Sequence, residues 1–162
     1  FRPDKKGIKL AIILGVLVYI VILGGYLLLK DVFDFSAITG TLTKNIGVTG
    51  KNFIFVSLYI SFINSLLEEF FFRGFAFITL KRITGRKFAY LFSAAVFAIY
   101  HIAMMIGWFG PQLFVIIMAG LFLGGLIFNY LNEKSATIYP SWLLHMFANF
   151  AINTIGFILF GI

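Results

Sequence analysis

The sequence NSLLEEFFFRGF at residues 64–75 decides the fold, because two adjacent carboxylates and an arginine interrupt an apolar run there. The run covers residues 53–80, which is long enough to cross a lipid bilayer. An ionisable side chain at that depth costs about 2.5–3.5 kcal/mol on insertion scales, so such groups normally face a bundle interior or a water-filled cavity. The stretch therefore predicts a functional site inside a membrane.

The composition is that of an integral membrane protein. Of the 162 residues, 61% are hydrophobic and 12% are charged, and the mean hydropathy is +1.02. A soluble domain of this size cannot bury that much apolar surface. The net charge of +7 comes from short basic clusters between apolar runs, so we interpret it as membrane topology and anionic-lipid contact, with no nucleic-acid binding. The absence of cysteine excludes a disulfide framework and a cysteine nucleophile.

Five apolar runs predict an all-α polytopic membrane bundle of five transmembrane helices. At about 1.5 Å per residue, each run matches a hydrocarbon core of about 30 Å. The polar stretch between the first two runs is expected to form a loop with a short interfacial helix. The predicted spans cover residues 10–29, 53–80, 88–106, 112–131 and 138–160.

The distribution of basic residues predicts the orientation of the bundle. Under the positive-inside rule, the amino terminus and the loop after the second span lie in the cytoplasm, and the carboxyl terminus lies outside. The residues that carry this signal are Arg2, Lys5, Lys6, Lys9, Lys81, Arg82, Arg86 and Lys87.

No repeat or linker is visible, so we expect one domain over residues 1–162, with a motif-bearing core at 53–162. In the fourth span, Gly120 and Gly124 have the spacing of glycines that make close helix contacts. This face is the candidate surface for dimerisation, and the sequence leaves the oligomeric state open.

The second span has a polar edge. Residues four apart on a helix share a face, which pairs Glu69 with Arg73 and Asn64 with Glu68. Glu69 and Arg73 alone are equally consistent with a structural ion pair in lipid. Two carboxylates and one cation are not satisfied as a single pair, however, and a spare carboxylate suits a general base. We therefore favour a functional interpretation.

Polar residues also mark one face of the third and fifth spans. His101 lies one turn after Phe97, and the fifth span carries four polar residues at four-residue spacing: Ser141, His145, Asn149 and Asn153. Burying the three polar edges against one another is the cheapest arrangement in lipid. Counted along the helices, His145 lies about a turn and a half shallower than the two glutamates and His101 unless the fifth helix starts before residue 138. Either histidine alone is more typical of a hydrogen bond between helices, so the combination is the signal.

This set of side chains supports hydrolysis in a membrane-embedded cavity. A carboxylate assisted by an imidazole deprotonates water, while a second histidine and an asparagine amide stabilise the oxyanion. A zinc ion is the alternative, with Glu69, His101 and His145 as candidate ligands if a metal is bound. The sequence leaves this choice open. It contains no HExxH or GxSxG pattern.

Three motifs resemble the CAAX-protease and bacteriocin-processing (CPBP, or Abi) family of intramembrane proteases, whose pattern is EExxxR, FxxxH and HxxxN on separate membrane helices. In this chain they read EEFFFR at 68–73, FAIYH at 97–101 and HMFAN at 145–149. The resemblance covers roughly residues 60–160. It implies three catalytic pairs: Glu68 with His101 to activate water, His145 with Asn149 to hold the oxyanion, and Glu69 with Arg73 to shape the pocket.

The leading hypothesis is an intramembrane endopeptidase in the cytoplasmic membrane of a bacterium. Its partners are the bilayer and a peptide or protein substrate, cleaved for bacteriocin self-immunity or peptide maturation. The chain is shorter than the prenyl-processing members of the family, which leaves a prenylated CAAX substrate open. The alternatives are a non-catalytic immunity protein or scaffold, and a small transporter, for which Gly74 beside the carboxylates is the one hint.

Overall fold

The computed structural model describes residues 4–105 and 107–162, which form six helices and no β-strand. Residues 1–3, which include the basic Arg2, and Ile106, the end of the predicted third span, lie outside the described residues. The helices are α1 Lys5–Leu29, α2 Ser36–Ile46, α3 Phe53–Ile83, α4 Arg86–Met105, α5 Pro111–Ser135 and α6 Tyr139–Phe160.

The prediction of five transmembrane helices is confirmed. Within the described residues, every helix except α2 is long and apolar enough to cross a membrane. The chain is therefore a multi-pass integral membrane protein, and α2 is the short helix expected between the first two spans. The orientation of the bundle and its single-domain organisation stay predictions.

A two-residue connection makes α3 and α4 antiparallel neighbours. It consists of Thr84 and Gly85, and Gly85 has φ of 98°, a left-handed conformation that costs glycine little. Because the connection is so short, the two helices that carry the glutamates and His101 pack side by side.

Helix α3 is longer than a bilayer requires and is not a regular α-helix. It contains two π-helical segments, Tyr59–Asn64 and Phe70–Phe77, which flank the α-helical segment Ser65–Glu69. Such segments are uncommon in proteins and often occur at functional sites. The two glutamates end the short α-helical segment between them, so irregular backbone lies on both sides of the polar residues.

The start of α6 is recessed within the bundle. Ile138 lies against Gly74, since a Cβ on that glycine would be 3.7 Å from Ile138 Cγ2. Helix α3 continues from Gly74 to Ile83, about 13 Å further at 1.5 Å per residue. Helix α6 starts at Tyr139, not before residue 138, and its recessed start brings His145 to the depth of Glu69.

The close helix contact predicted for Gly120 and Gly124 is wrong within this chain. Apart from the neighbouring turns of α5 itself, no described atom lies within 4 Å of the position that a Cβ would take on either glycine. The contact is made by the next residue, Gly125, where a Cβ would lie 3.0 Å from the Cα of Ala94 on α4. Successive residues of a helix point about 100° apart, so the spacing of the glycines did not tell which one faces a neighbour.

Candidate active site

Glu69 is the centre of a buried hydrogen-bonded group. Its side chain is 0% exposed. Its Oε1 accepts one hydrogen bond from Arg73 Nη1 at 3.0 Å and lies 3.0 Å from His145 Nδ1. Helix α3 supplies both the carboxylate and the arginine one turn apart, and α6 supplies the imidazole.

Arg73 is held between aromatic rings. The guanidinium carbon lies 4.1 Å from the ring centroid of Phe97 on α4 and 4.7 Å from that of Phe128 on α5. Within the part of the chain that the structure describes, Nε and Nη2 have no hydrogen-bond partner. The ring faces and the Glu69 carboxylate are therefore what stabilises this fully buried cation.

Glu68 points its second oxygen at both histidines. Its Oε1 accepts a hydrogen bond from Asn64 Nδ2 at 2.6 Å, whereas Oε2 lies 3.8 Å from His101 Nε2 and 3.7 Å from His145 Nε2. Both distances are too long for a direct hydrogen bond. Oε2 is also buried without a partner among residues 4–105 and 107–162. A polar gap of this width is where a bridging water is expected.

The second nitrogen of each imidazole is already engaged. His101 Nδ1 lies 2.8 Å from the carbonyl oxygen of Phe97, and because a carbonyl only accepts, this nitrogen carries the proton. His145 Nδ1 donates in the same way to the Glu69 carboxylate. Both rings therefore turn Nε2 toward Glu68. The side chain of His101 is 14% exposed, against 7% for His145 and 6% for Glu68, so the group is nearly closed.

Asn149 lies one turn beyond His145 and contacts the backbone of α3. Its Nδ2 donates to the carbonyl oxygen of Ile60 at 3.1 Å. Ile60 belongs to the π-helical segment Tyr59–Asn64, where irregular backbone needs partners from neighbouring helices. Asparagine has two side-chain N–H groups, so one donor of Asn149 remains for another acceptor.

The polar stripes of α3 and α6 face each other, as expected from the sequence. Asn153 Nδ2 donates to the carbonyl oxygen of Ser57 at 3.2 Å and to Ser61 Oγ at 2.9 Å. Trp142 Nε1 donates to Ser65 Oγ at 3.0 Å. These bonds hold α6 against α3.

Comparison with known proteins identifies the family. Residues 50–151 match the family described as Type II CAAX prenyl endopeptidase Rce1-like. The chain belongs to this family. The match covers α3, α4, α5 and the first half of α6. It therefore contains all six candidate residues: Glu68, Glu69, Arg73, His101, His145 and Asn149. No curated protein and no solved structure matches the chain.

Membership in the Rce1-like family confirms the resemblance seen in the three motifs and makes the chain a member of a membrane-protease family, with a protein or peptide as substrate. The structure brings five of the six candidate residues into one connected group: Glu68, Glu69, Arg73, His101 and His145. Asn149 is next to this group and is bonded to the backbone of α3. The individual roles of the six residues stay predictions.

The candidate metal ligands Glu69, His101 and His145 are not arranged as a metal site in the structure. Among residues 4–105 and 107–162, no group of three or more His, Asp or Glu side chains is arranged to hold a metal ion. In the candidate set, Glu69 already uses Oε1 for Arg73 and His145. The ligand set of Glu69, His101 and His145 stays a prediction, and the chemistry below uses only side chains and water.

Sequence reasoning missed three residues around Arg73 and α6. Phe128 stacks on the guanidinium, Asn129 bonds to α4, and Trp142 bonds to α3. Asn129 left a signal, because it is a polar residue within an apolar span. Phe128 and Trp142 left none, since aromatic residues occur throughout this sequence.

A surface depression lies away from this site. It is lined by α2 and the end of α6, including Thr43, Lys44 and Phe160. The distance from His145 to Phe160 along α6 is about 22 Å at 1.5 Å per residue. This depression is open to its surroundings, and we assign the chemistry to the buried polar group instead.

Proposed function

We propose that this protein is an intramembrane endopeptidase that hydrolyses a peptide bond of a membrane-associated peptide or protein with a water molecule activated by Glu68. The observation that carries the proposal is the unpartnered Glu68 Oε2, which faces the Nε2 atoms of His101 and His145 at 3.8 and 3.7 Å. Membership in the Rce1-like family supports the same reaction class.

The first step is the activation of water. A water in the gap beside Glu68 Oε2 is within hydrogen-bonding reach of His101 Nε2 as well. Glu68 takes a proton from this water while the oxygen of the water attacks the carbonyl carbon of the substrate. Asn64 donates to the other carboxylate oxygen and keeps Oε2 directed at the water.

His145 has a different task, which follows from counting protons. Glu68 Oε2 and the Nε2 atoms of two neutral histidines are three acceptors, whereas one water supplies two protons. An additional proton on His145 resolves this conflict, and the Glu69 carboxylate stabilises the resulting imidazolium through Nδ1. Nε2–H of His145 and the second N–H of Asn149 then stabilise the oxyanion.

The second step breaks the peptide bond. The tetrahedral intermediate collapses, the carbon–nitrogen bond breaks, and the proton held by Glu68 passes to the leaving amine. The products are a carboxylic acid and an amine, and Glu68 returns to its ionised form. The proton of the acid then passes to the amine, so the products leave as a carboxylate and an ammonium ion. Arg73 holds the Glu69 carboxylate in place throughout, because Arg73 Nη1 donates to the same oxygen that accepts from His145 Nδ1.

We propose bacteriocin self-immunity or peptide maturation as the setting of this activity. Two fluorescent peptides in lipid vesicles test the substrate class. One is farnesylated and ends in a Cys-aliphatic-aliphatic-X sequence, and the other has the same sequence without the lipid. Cleavage of the unmodified peptide at a rate equal to or above that of the farnesylated one is expected from this setting. Strict dependence on the farnesyl group contradicts the setting but not the hydrolytic mechanism.

Glu68→Gln tests the mechanism in the same vesicles. The substitution keeps volume and the hydrogen bond from Asn64 but removes the base, so the cleavage rate is expected to fall at least 100-fold, within the range for general-base catalysis. Glu133→Gln is the matched control, since Glu133 forms ion pairs with Lys81 near the end of α3 and with Arg86 at the start of α4, away from the candidate site. An unchanged rate for Glu68→Gln would reject the mechanism and favour a non-catalytic immunity protein. Chelation of metal ions is expected to leave the rate within twofold, and a loss that zinc restores would contradict the metal-free route.

A further inference from the structure

A serine of α4 holds the irregular backbone that carries Arg73. Ser93 Oγ donates to the carbonyl oxygen of Phe72 at 3.1 Å, and Ser93 is 1% exposed. Phe72 lies in the π-helical segment Phe70–Phe77, directly before Arg73. Irregular backbone within a membrane bundle persists only where neighbouring helices satisfy its polar groups. The orientation of the peptide group that links Phe72 to Arg73 therefore depends on this hydroxyl.

An asparagine of α5 completes the arrangement. Asn129 is 0% exposed, and its Oδ1 lies 3.3 Å from Ser93 Oγ. Its Nδ2 donates to the carbonyl oxygen of Tyr90 on α4 at 3.1 Å. A serine hydroxyl has a single proton, so Ser93 shares it between Phe72 and Asn129. Asn129 thus fixes the position of the serine, which in turn fixes the backbone of α3.

The same two helices also hold the Arg73 side chain. Phe97 follows Ser93 by one turn on α4, and Phe128 directly precedes Asn129 on α5. Both rings lie against the guanidinium. Each helix therefore contributes one polar residue that holds the backbone next to Arg73 and one ring that holds its cation.

We propose that Ser93 and Asn129 are positioning residues of the hydrolytic site, acting through Arg73 and Glu69 to keep the Nδ1 proton of His145 in place. The catalytic part of this statement rests on the proposed function. The part that concerns His145 does not. The path consists of contacts given above: Ser93 to the Phe72 carbonyl, Arg73 to Glu69, and Glu69 to His145.

A spectroscopic experiment tests the path without any substrate. The chain has only two histidines, so ¹⁵N-histidine labelling gives a simple ring-nitrogen spectrum in lipid bilayers. In the unsubstituted protein, both Nδ1 atoms are expected to be protonated. Ser93→Ala is expected to convert part of the His145 Nδ1 signal to the unprotonated form. His101 serves as internal reference, because its Nδ1 bonds to the Phe97 carbonyl of its own helix.

Two further variants complete the spectroscopic test. Glu69→Gln is the positive control, since it replaces the carboxylate that accepts from His145 Nδ1 with a neutral and weaker acceptor. Ser57→Ala is the matched negative control, because Ser57 is also a buried serine of a spanning helix but bonds to the Ile54 carbonyl of its own helix. A His145 spectrum that changes in Glu69→Gln and stays unchanged in Ser93→Ala would overturn the proposal.

Kinetics in vesicles with the farnesylated peptide and its unmodified form test the catalytic part. Ser93→Ala is expected to lower kcat about 10- to 100-fold, the range for outer partners that orient a functional histidine, and to change KM less than twofold. In the Glu69→Gln background, Ser93→Ala is expected to lower kcat by less than a further factor of two, because the substitution at Glu69 already interrupts the path from Ser93 to His145. Equal losses in both backgrounds would indicate a general packing effect and would overturn the proposal.

Ser93→Cys covers the case in which Ser93→Ala does not fold. It retains the size of the side chain but replaces the hydroxyl with a weak donor, so a smaller change in the same direction is expected for kcat and for the His145 signal. If Glu68→Gln leaves cleavage unchanged while Ser93→Cys alters the His145 spectrum, the proposed function fails and the positioning path stands. If Glu68→Gln abolishes cleavage and neither Ser93→Ala nor Ser93→Cys changes kcat or the His145 spectrum, only the positioning proposal fails.

Discussion

Removal of the Arg73 cation, in the variant Arg73→Met, is expected to destabilise the protein strongly. The variant loses a charge-assisted hydrogen bond to Glu69 at 3.0 Å, worth about 1.5–3 kcal/mol. It also loses the stacking on Phe97 and Phe128, worth about 1–2 kcal/mol together. The sum of about 2.5–5 kcal/mol overlaps the usual cost of breaking a buried ion pair, about 3–5 kcal/mol.

The assay is thermal unfolding of the purified protein in bicelles. For a chain of this size, 1 kcal/mol corresponds to about 2–4 °C in Tm, so a fall of about 5–20 °C is expected. Arg82→Met on the same helix is the matched control, because Arg82 is exposed, and its Tm is expected to change by less than about 2 °C. The double variant Arg73→Met/Glu69→Gln is expected to recover part of the loss, since it removes the buried negative charge that has lost its ion pair with Arg73. A Tm for Arg73→Met equal to that of Arg82→Met would refute this reasoning.

Two further predictions concern packing and the oxyanion. Gly125→Leu is expected to lower the free energy of unfolding by about 1–3 kcal/mol, because the new side chain would enter the backbone contact with Ala94. Gly120→Leu on the open face is expected to lower it by less than about 0.5 kcal/mol. Denaturant unfolding in micelles compares the two variants, and equal losses would contradict the packing of Gly125 against Ala94. Asn149→Ala is expected to lower kcat about 100-fold through loss of an oxyanion donor. Asn153 also donates to a backbone carbonyl of α3, and Asn153→Ala is expected to lower Tm while kcat stays within about threefold. Equal kcat values for the two asparagine variants would remove Asn149 from the site.

The spans and the polar residues of the site were predictable because lipid imposes strong constraints. A run of about 20 apolar residues has one structural solution in a bilayer, and polar side chains within it must meet one another. Four-residue spacing was enough to place Glu69 beside Arg73, whereas the contact of Glu69 with His145 joins two helices and depends on their polar edges meeting. The convergence of α3, α4 and α6 was expected on the same grounds.

The details that set the geometry were not predictable from spacing. The π-helical segments of α3 depend on partners from other helices, such as Ser93 for the Phe72 carbonyl and Asn149 for that of Ile60. The recessed start of α6 depends on the packing of Ile138 against Gly74. The different environments of Glu68 and Glu69 are likewise a tertiary effect, because Arg73 and His145 both contact Oε1 of Glu69, whereas Oε2 of Glu68 faces the Nε2 atoms of both histidines.

A density map of the protein in lipid, at a resolution that shows ordered water, tests the central claim most directly. The account predicts a water within about 3 Å of Glu68 Oε2 and of Nε2 of both histidines, with Nδ1 of His145 still bonded to Glu69. A map in which Glu68 is turned away from the two histidines, or in which a side chain or a lipid tail fills the gap between them, would contradict it.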